Sequence, residues 1–367
     1  SIFSVIAITL PYWTIWLKGQ GLDAVEISIL SALPILSKII FSPFFASLSD
    51  RLGERKKVML TLTGLTLGIF SLYFIAEGFW QFFFISTFYG IMWAPMMSFG
   101  ENVTVLSTKN TTLEYGRIRL WGSISFLIIS FSFGWVLEGF HQDIIPYVVF
   151  FAILLTFTSV CFLPNPITVK QDKDHQPVSS LLQKRDFLYF LACVGLIHGS
   201  HSLYYGFSSL HWQSQGFGEG RIGFLWAVGV LMEVVFFVYG RKIVERIDFS
   251  MLLFIAACVA ALRWFAMTFD PPYFLLIILQ CSHAITYGAM HIGAMTYIGR
   301  AVPVELSTTA QSLYGASAFG LGIGISLLFT GVLYETWMAS GFFVMTLMAI
   351  LGMIFAKLLR QETLKKT

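Results

Sequence analysis

Long apolar stretches run along this chain, and short polar links separate them. A helix that crosses a bilayer needs about 20 mostly apolar residues, and twelve stretches meet this condition. Strands of a membrane barrel would alternate apolar and polar positions, which these stretches do not do. The sequence therefore predicts an all-α membrane protein with twelve transmembrane helices. Because the chain starts at Ser1 inside an apolar stretch, the first helix is expected to be truncated. The predicted segments are residues 1–17, 24–48, 58–76, 80–107, 118–138, 145–163, 187–211, 220–240, 251–269, 273–299, 306–333 and 337–357.

Lys and Arg residues collect on one side of the predicted membrane. If the N-terminus is cytoplasmic, the inner loops and the C-terminus hold 19 of the 23, the outer loops hold Lys18 and Arg221, and the other two lie inside membrane segments. Cytoplasmic loops of membrane proteins are enriched in Lys and Arg. This bias predicts that both chain ends are cytoplasmic and that the number of membrane helices is even.

A polar link at residues 164–186 divides the apolar segments into two sets of six. The sets resemble each other weakly, since Trp-Leu-Lys-Gly-Gln-Gly-Leu at 16–22 aligns with His-Trp-Gln-Ser-Gln-Gly-Phe at 211–217. Such similarity indicates an internal repeat. The sequence thus predicts two pseudo-symmetric six-helix bundles, an N-terminal one at 1–163 and a C-terminal one with a short cytoplasmic tail at 187–367, joined by a cytoplasmic linker.

Composition narrows the possible classes of function. Only 12% of the residues are charged, whereas a soluble protein has about 25%. The net charge of +3 and the absence of a basic block with interleaved aromatic residues argue against nucleic-acid binding. No Walker loop, Ser/His/Asp order or hydrolytic pair of carboxylates stands in a suitable place, so no enzymatic activity is expected. His198 and His201 share a helix face, but no carboxylate or Cys accompanies them, and no metal site is expected.

Charged residues deep inside apolar segments are candidates for function, because an unpaired charge is costly in a bilayer. Lys38, Glu101, Glu233 and Arg263 have this position. Lys38 stands about 12 Å of helix rise from the nearer end of its segment. That distance is long for a side chain that reaches back to the interface, so we expect Lys38 to face a cavity, with such snorkelling as the alternative.

Glu101 and Arg119 lie on neighbouring antiparallel segments at the two ends of a polar link that carries Lys109. An acid and a base in this arrangement can meet across a shared cavity. The predicted orientation places the link in the cytoplasm, with Glu101 deeper in the membrane and Arg119 near the inner face. The pair is therefore a candidate part of a substrate site.

The loop after the second segment reads Ala-Ser-Leu-Ser-Asp-Arg-Leu-Gly-Glu-Arg-Lys-Lys over residues 46–57. It resembles the signature between helices two and three of the major facilitator superfamily, Gly-x-x-x-Asp-Arg-x-Gly-Arg-Arg/Lys, with Ala46 in place of the first Gly and Glu54 where an Arg is common. The resemblance implies a cytoplasmic gate that includes Asp50, Arg51 and Arg55. A positively charged inner loop with no gating role is the alternative. Two six-helix halves also fit this superfamily, in which the substrate site lies near the midplane between the halves.

Several residues resemble the lactose permease branch of that superfamily. The spacing Glu-x17-Arg of Glu101 and Arg119 matches the sugar-binding acid–base pair on helices four and five of that branch. Phe126 stands where that branch stacks a Trp on its sugar. Arg263 and His283 keep the spacing of its helix-nine Arg and helix-ten His, which belong to a proton relay.

Two positions depart from the lactose permease pattern. The helix-ten acid is Thr286 here, and the helix-eight acid is displaced by about one turn, to Glu233. Proton coupling needs a group whose protonation changes during transport, and the proton affinity of a buried carboxylate depends on its solvation and on nearby cations. Glu233 beside Arg263 or His283 is therefore the first candidate, and Glu101 is the second.

The 3-phenylpropionate transporter group of the same superfamily is similar over nearly the full length. The shared runs are Trp16-Leu17-Lys18-Gly19, Arg119-Leu120-Trp121-Gly122-Ser123, Tyr204-Tyr205-Gly206-Phe207-Ser208 and Arg263-Trp264. The resemblance implies proton-coupled uptake of a small aromatic carboxylate by alternating access, in the inner membrane of a bacterium. An Arg fork suits a carboxylate, and aromatic side chains can pack against a ring.

The sequence predicts the partners of the protein, the residues of its site and the alternative functions. The partners are a small-molecule substrate and the lipid bilayer, the proton is the coupling ion, and no cofactor and no obligatory protein partner are expected. A sugar or nucleoside proton symporter is the first alternative, and a membrane substrate sensor without transport is the second. The expected substrate-binding residues are Lys38, Glu101, Arg119, Phe126, Tyr205 and Tyr287, the proton-coupling residues are Glu233, Arg263 and His283, and the gate residues are Asp50, Arg51 and Arg55.

Overall fold

The computed structural model describes residues 1–108, 115–163, 179–303 and 306–365, and every regular element in these ranges is helical. The helices of the first part are α1 Ile2–Gly19, α2 Ala24–Leu52, α3 Arg55–Ser71, α4 Gly78–Trp93, α5 Met96–Thr108, α6 Tyr115–Leu137, α7 Ile144–Cys161 and α8 Ser179–Leu182. Those of the second part are α9 Arg185–Gly199, α10 Ser202–Ser214, α11 Glu219–Val238, α12 Gly240–Arg246, α13 Phe249–Met267, α14 Tyr273–Cys281, α15 Met290–Ala301, α16 Ser307–Gly315, α17 Ser326–Trp337 and α18 Phe342–Leu364.

Eleven helical stretches within the described residues are long and apolar enough to cross a membrane. The longest, Thr309–Leu364, covers most of the predicted segment 306–333 and all of 337–357, and the 3-10 turn Met338–Gly341 lies near the start of the second. Each of the twelve predicted segments therefore coincides with a helical stretch. The predicted all-α membrane architecture is confirmed.

The described residues form two compact units. The first comprises the residues up to 163 together with Gly206–Ala227, and the second comprises residues 179–205 and everything described from Val228 onwards. The linker that sequence analysis places at 164–186 lies outside the described residues as far as 178. The bundle boundaries expected from the sequence stay a prediction.

Each unit has its own packed interior. In the first, aromatic rings from three helices meet, with ring centroids of Trp13 and Tyr73 5.0 Å apart and those of Trp16 and Phe82 5.4 Å apart. In the second, α9, α13, α15 and α18 bury a cluster of apolar side chains that includes the stacked rings of Phe190 and Tyr297. Rings of this size bury large apolar areas and fix how neighbouring helices are rotated.

Two local features position the candidate residues. The helix α2 begins with a capping box between Asp23 and Glu26 and ends at Gly53, whose φ of 67° suits glycine because a Cβ is strained there. The chain turns at this glycine directly between Asp50 and Arg55. In the second unit, the segment from α14 to α15 passes through a π-helical turn at Ala284–Ala289. Such turns change which side chains share a helix face and are frequent at functional sites.

Candidate functional site

Glu101 on α5 and Arg119 on α6 are in contact in the first unit. The Arg119 Nε lies 3.4 Å from the Glu101 Oε1, and the side chains are 35% and 42% exposed. The Arg119 guanidinium carbon also lies 4.3 Å from the centre of the Phe3 ring. No other hydrogen bond of Arg119 occurs among the described residues. The guanidinium is therefore accessible, and within this part of the chain it is held at one nitrogen.

The approach of Phe3 to Arg119 depends on a glycine. A Cβ on Gly122 would stand 2.6 Å from the Phe3 ring, which is closer than side-chain atoms tolerate. Gly122 thus lets α1 lie against α6 at the level of Arg119. Phe126 is one turn further along the same face of α6 and is only 4% exposed. Its side chain belongs to the packed interior, and its expected contact with substrate stays a prediction.

Lys38 lies in the middle of α2, and its side chain is exposed. No hydrogen bond or ion pair joins its ammonium group to another residue of the described ranges. The structure therefore brings Glu101 and Arg119 together but shows no contact between either residue and Lys38.

Arg55 is the centre of the cluster expected at the inner gate. It donates hydrogen bonds to the Asp50 carboxylate and to the Asn102 amide oxygen. Asp50 is 60% exposed and Arg55 only 10% exposed. Arg51 is exposed, and its side chain forms no hydrogen bond or salt bridge in the described part of the chain. Arg55 therefore ties the end of α2 and the start of α3 to α5, directly beside Glu101.

Arg263 is the most deeply buried cation of the second unit, at 1% exposure. Its Nη2 donates to Gln280 Oε1 at 2.9 Å and its Nη1 to Thr286 Oγ1 at 3.3 Å. The guanidinium carbon lies 4.7 Å from the ring centres of both Tyr204 and Trp264. Among the described residues no carboxylate forms a salt bridge with Arg263, so neutral groups and ring faces stabilise its charge.

His283 stands between Arg263 and Glu233. Its Nδ1 lies 3.2 Å from Arg263 Nη1, and its Nε2 lies 3.7 Å from Glu233 Oε2. Because a guanidinium can only donate, Nδ1 must accept, and a neutral His283 carries its proton on Nε2, facing Glu233. Glu233 keeps 20% of its side chain exposed. The carboxylate thus lies between solvent and a buried hydrogen-bond network.

His201 extends this network through Thr286. Its Nδ1 lies 2.9 Å from the Ile197 carbonyl oxygen and its Nε2 lies 3.1 Å from Thr286 Oγ1. A carbonyl only accepts, so Nδ1 donates and a neutral His201 accepts the Thr286 hydroxyl proton at Nε2. The hydroxyl therefore accepts from Arg263 and donates to His201, which satisfies three buried groups at once.

The two tyrosines expected at the substrate site flank His283. The Tyr287 ring stacks on the His283 ring with centroids 5.4 Å apart, and the Tyr205 ring meets it edge-on at 6.5 Å. Both tyrosines are half-buried. The structure thus groups Tyr205 and Tyr287 with the three expected proton-coupling residues in the second unit, whereas Arg119 belongs to the first.

Sequence reasoning missed three residues of these clusters. Asn102 follows Glu101 directly and accepts from Arg55. Gln280 accepts from both Arg263 and Tyr204. Thr286 was noted only as a missing acid. A polar side chain one turn before His283 in an apolar segment was the available signal for Gln280.

The sequence profile of the MFS_1 like family, a family of major facilitators, matches residues 2–345. The chain belongs to this family. This major facilitator is 31% identical over 365 residues to a protein of Escherichia coli (strain K12) described as a probable 3-phenylpropionic acid transporter, covering 96% of this chain and 93% of that protein. It is 26% identical over 369 residues to the maltose permease of Geobacillus stearothermophilus, covering 98% and 92%.

A solved structure shows the same fold. The nucleoside transporter NupG superposes on this major facilitator with a TM-score of 0.82 at 14% identity, covering 98% of this chain and 96% of that one. At this identity the likeness shows the fold alone. The family membership shows that the chain is a multi-pass membrane protein and a secondary transporter of a small molecule.

Proposed function

We propose that this major facilitator takes up a small aromatic carboxylate, such as 3-phenylpropionate, together with protons by alternating access. The observation that carries the proposal is the accessible guanidinium of Arg119, held at one nitrogen and placed over the Phe3 ring. The relative described as a probable 3-phenylpropionic acid transporter supports the choice of substrate.

The substrate carboxylate binds to Arg119 in this proposal. Within the described ranges Arg119 is bonded at Nε alone, to Glu101, so the two Nη groups can bind both oxygens of a carboxylate. The contact of 3.4 Å between Arg119 and Glu101 is long for a charged pair, and a bound anion competes with it. Phe3 supplies a ring face for the aromatic end, and Lys38, Phe126, Tyr205 and Tyr287 are the other proposed substrate-binding residues.

Glu233 carries the proton in this proposal. Its carboxylate lies 3.7 Å from His283 Nε2, which can donate to it when it is ionised. Arg263 holds the other side of His283, so the imidazole is fixed between a cation and the acid. Gain of a proton on Glu233 removes this charge interaction and permits the network to rearrange with the transport cycle.

The proposal also includes a cytoplasmic gate and a location in the membrane. The ion pair of Asp50 with Arg55, with Arg51 nearby in sequence, closes the cytoplasmic side. The chain lies in a bacterial inner membrane with both ends in the cytoplasm, as the distribution of Lys and Arg indicates. The proton is the only coupling ion, and no cofactor takes part.

Uptake by the purified protein in proteoliposomes tests this proposal. We expect that 3-phenylpropionate accumulates when the outside is acidic and that a protonophore abolishes the accumulation. Maltose belongs in the same panel, because a maltose permease is among the relatives. Accumulation of maltose but not of 3-phenylpropionate would favour the sugar alternative, and uptake that is indifferent to the pH gradient would refute proton coupling.

A further inference from the structure

A tyrosine hydroxyl bridges two histidines in the second unit, apart from the cluster around Arg263. The Tyr314 hydroxyl lies 3.3 Å from His198 Nε2 and 3.1 Å from His291 Nδ1. His198 and Tyr314 are buried, and His291 is half-buried. Three helical segments, α9, α15 and α16, each supply one member. Burying polar groups in an apolar bundle costs free energy, so such a triad is a candidate for function.

The two ends of this triad have different surroundings. His291 lines a cavity of about 420 Å³ that opens to the surface beside α12, together with Phe237, Met295 and Thr296. The other end, His198 Nδ1, is a buried nitrogen with no hydrogen-bond partner among the described residues. The triad therefore connects an unsatisfied nitrogen in the interior with an open cavity.

The buried end faces the cluster that holds Glu233. The ring centroids of His198 and His201 are 6.5 Å apart. Tyr287 packs against both sides, with its ring 5.6 Å from His198 and 5.4 Å from His283. His201 in turn is joined to Arg263 through Thr286, and Arg263 is joined to His283. The rings of His283, Tyr287 and His198 are thus in successive contact between the partner of Glu233 and the buried end of the triad.

We propose that His198, Tyr314 and His291 form the inner proton outlet of the transporter and carry protons between the Glu233 cluster and the cavity beside α12. The inference rests on the proposed proton coupling and adds its exit route. The cavity is lined by Gly240 and Val244 of α12, whose Lys242 and Arg246 belong to an inner loop in the predicted orientation. The outlet therefore discharges into the compartment in which a proton-driven uptake system must release its protons.

The transfer balances over two imidazoles and one hydroxyl. With His198 neutral and protonated at Nε2, an incoming proton binds its free Nδ1. The Nε2 proton then passes to the Tyr314 oxygen while the hydroxyl proton moves to His291 Nδ1, and His291 releases its own Nε2 proton to the cavity. One proton enters and one leaves. The groups return to their starting state when the hydroxyl turns and the imidazoles exchange tautomers.

Titratable and apolar side chains surround the triad. On the side of α9 the titratable neighbour is His201, and on the segment between α14 and α15 it is Tyr287. Apolar rings also contact the triad, with Phe319 4.9 Å from His198 and Phe237 6.1 Å from His291. The triad therefore lies among apolar rings, with His201 and Tyr287 beside it.

Substitutions that remove or replace a proton-carrying group of the triad, measured by exchange and by accumulation, separate this role from a structural one. Tyr314→Phe removes the hydroxyl, His291→Asn replaces Nδ1 by an amide group, and His198→Gln replaces Nε2. In proteoliposomes each variant is expected to exchange 3-phenylpropionate across the membrane at the unaltered rate. Proton-driven accumulation is expected to slow at least about tenfold, as when a proton-transfer group is removed.

Tyr73→Phe is the matched control. Tyr73 is a buried tyrosine of the first unit whose hydroxyl lies 2.7 Å from Ser86 Oγ, and its loss should leave both rates unchanged. Glu233→Gln is the reference for lost coupling. Unaltered accumulation in Tyr314→Phe and His291→Asn, with Glu233→Gln defective, would overturn the outlet alone. If the unaltered protein shows no proton-driven uptake, the proposed function and the outlet fall together.

Discussion

The two units hold their charged residues in opposite ways. In the first, Arg119 and Glu101 are more than a third exposed and touch through a single contact of 3.4 Å. In the second, Arg263 is buried and held by Gln280 and Thr286, with no carboxylate paired to it among the described residues. A loosely held, accessible pair can exchange its partner for a ligand. A buried network of neutral partners can store or pass a proton without opening to substrate.

The largest effect is expected at the accessible pair. Arg119→Lys keeps the charge but loses the planar fork. Hydrogen bonds to charged groups contribute about 1.5–3 kcal/mol, so binding of 3-phenylpropionate should weaken by about tenfold to 100-fold. Binding to the purified variant, measured by calorimetry, checks this expectation. Arg360→Lys, at an exposed position of α18, is the control, and equal affinity in the two variants would refute the role of Arg119.

A smaller effect, on stability, is expected in the buried network. Thr286→Val keeps the shape but leaves Arg263 and His201 each without a partner at this point. Loss of a partner for a buried polar group costs about 1–3 kcal/mol. The free energy of unfolding in detergent should fall by that amount. Thr330→Val is the matched control, because the buried Thr330 hydroxyl bonds only to Leu327 of its own helix; an equal loss there would contradict the network.

The smallest effect is expected where α1 packs on α6. Gly122→Ala places a methyl group against the Phe3 ring, which must shift away from Arg119. Overpacking costs about 1–3 kcal/mol, but Phe3 is near the start of α1 and can yield. Affinity for 3-phenylpropionate should fall by less than about tenfold. Gly68→Ala meets nothing within 4 Å and should bind as the unaltered protein does.

Much of this architecture is readable from the sequence, because lipid requires long apolar helices and each one leaves a run of about 20 residues. The spacing of Glu101 and Arg119 likewise places an acid and a base on adjoining helices. The partners of Arg55 and Arg263 are not readable in this way. They depend on how the helices are rotated about their axes, which hydropathy does not record.

Local backbone geometry explains what the sequence pattern misses. The π-helical turn at Ala284–Ala289 changes the face on which Thr286 and Tyr287 lie. A regular helix drawn from His283 onwards would direct both side chains elsewhere. The contact of Asn102 with Arg55 is likewise not predictable from the sequence pattern, because it requires α3 and α5 to meet. The roles of all these residues in transport stay predictions.

The central claim is that Arg119 of the first unit binds the substrate and Glu233 of the second unit carries the proton. Its most direct test measures 3-phenylpropionate exchange and proton-driven accumulation in one set of proteoliposomes, with Arg119→Lys and Glu233→Gln side by side. We expect Arg119→Lys to lower both activities, since substrate binds more weakly, and Glu233→Gln to keep exchange while it loses accumulation. Full accumulation in Glu233→Gln, or unimpaired exchange in Arg119→Lys, would contradict the claim.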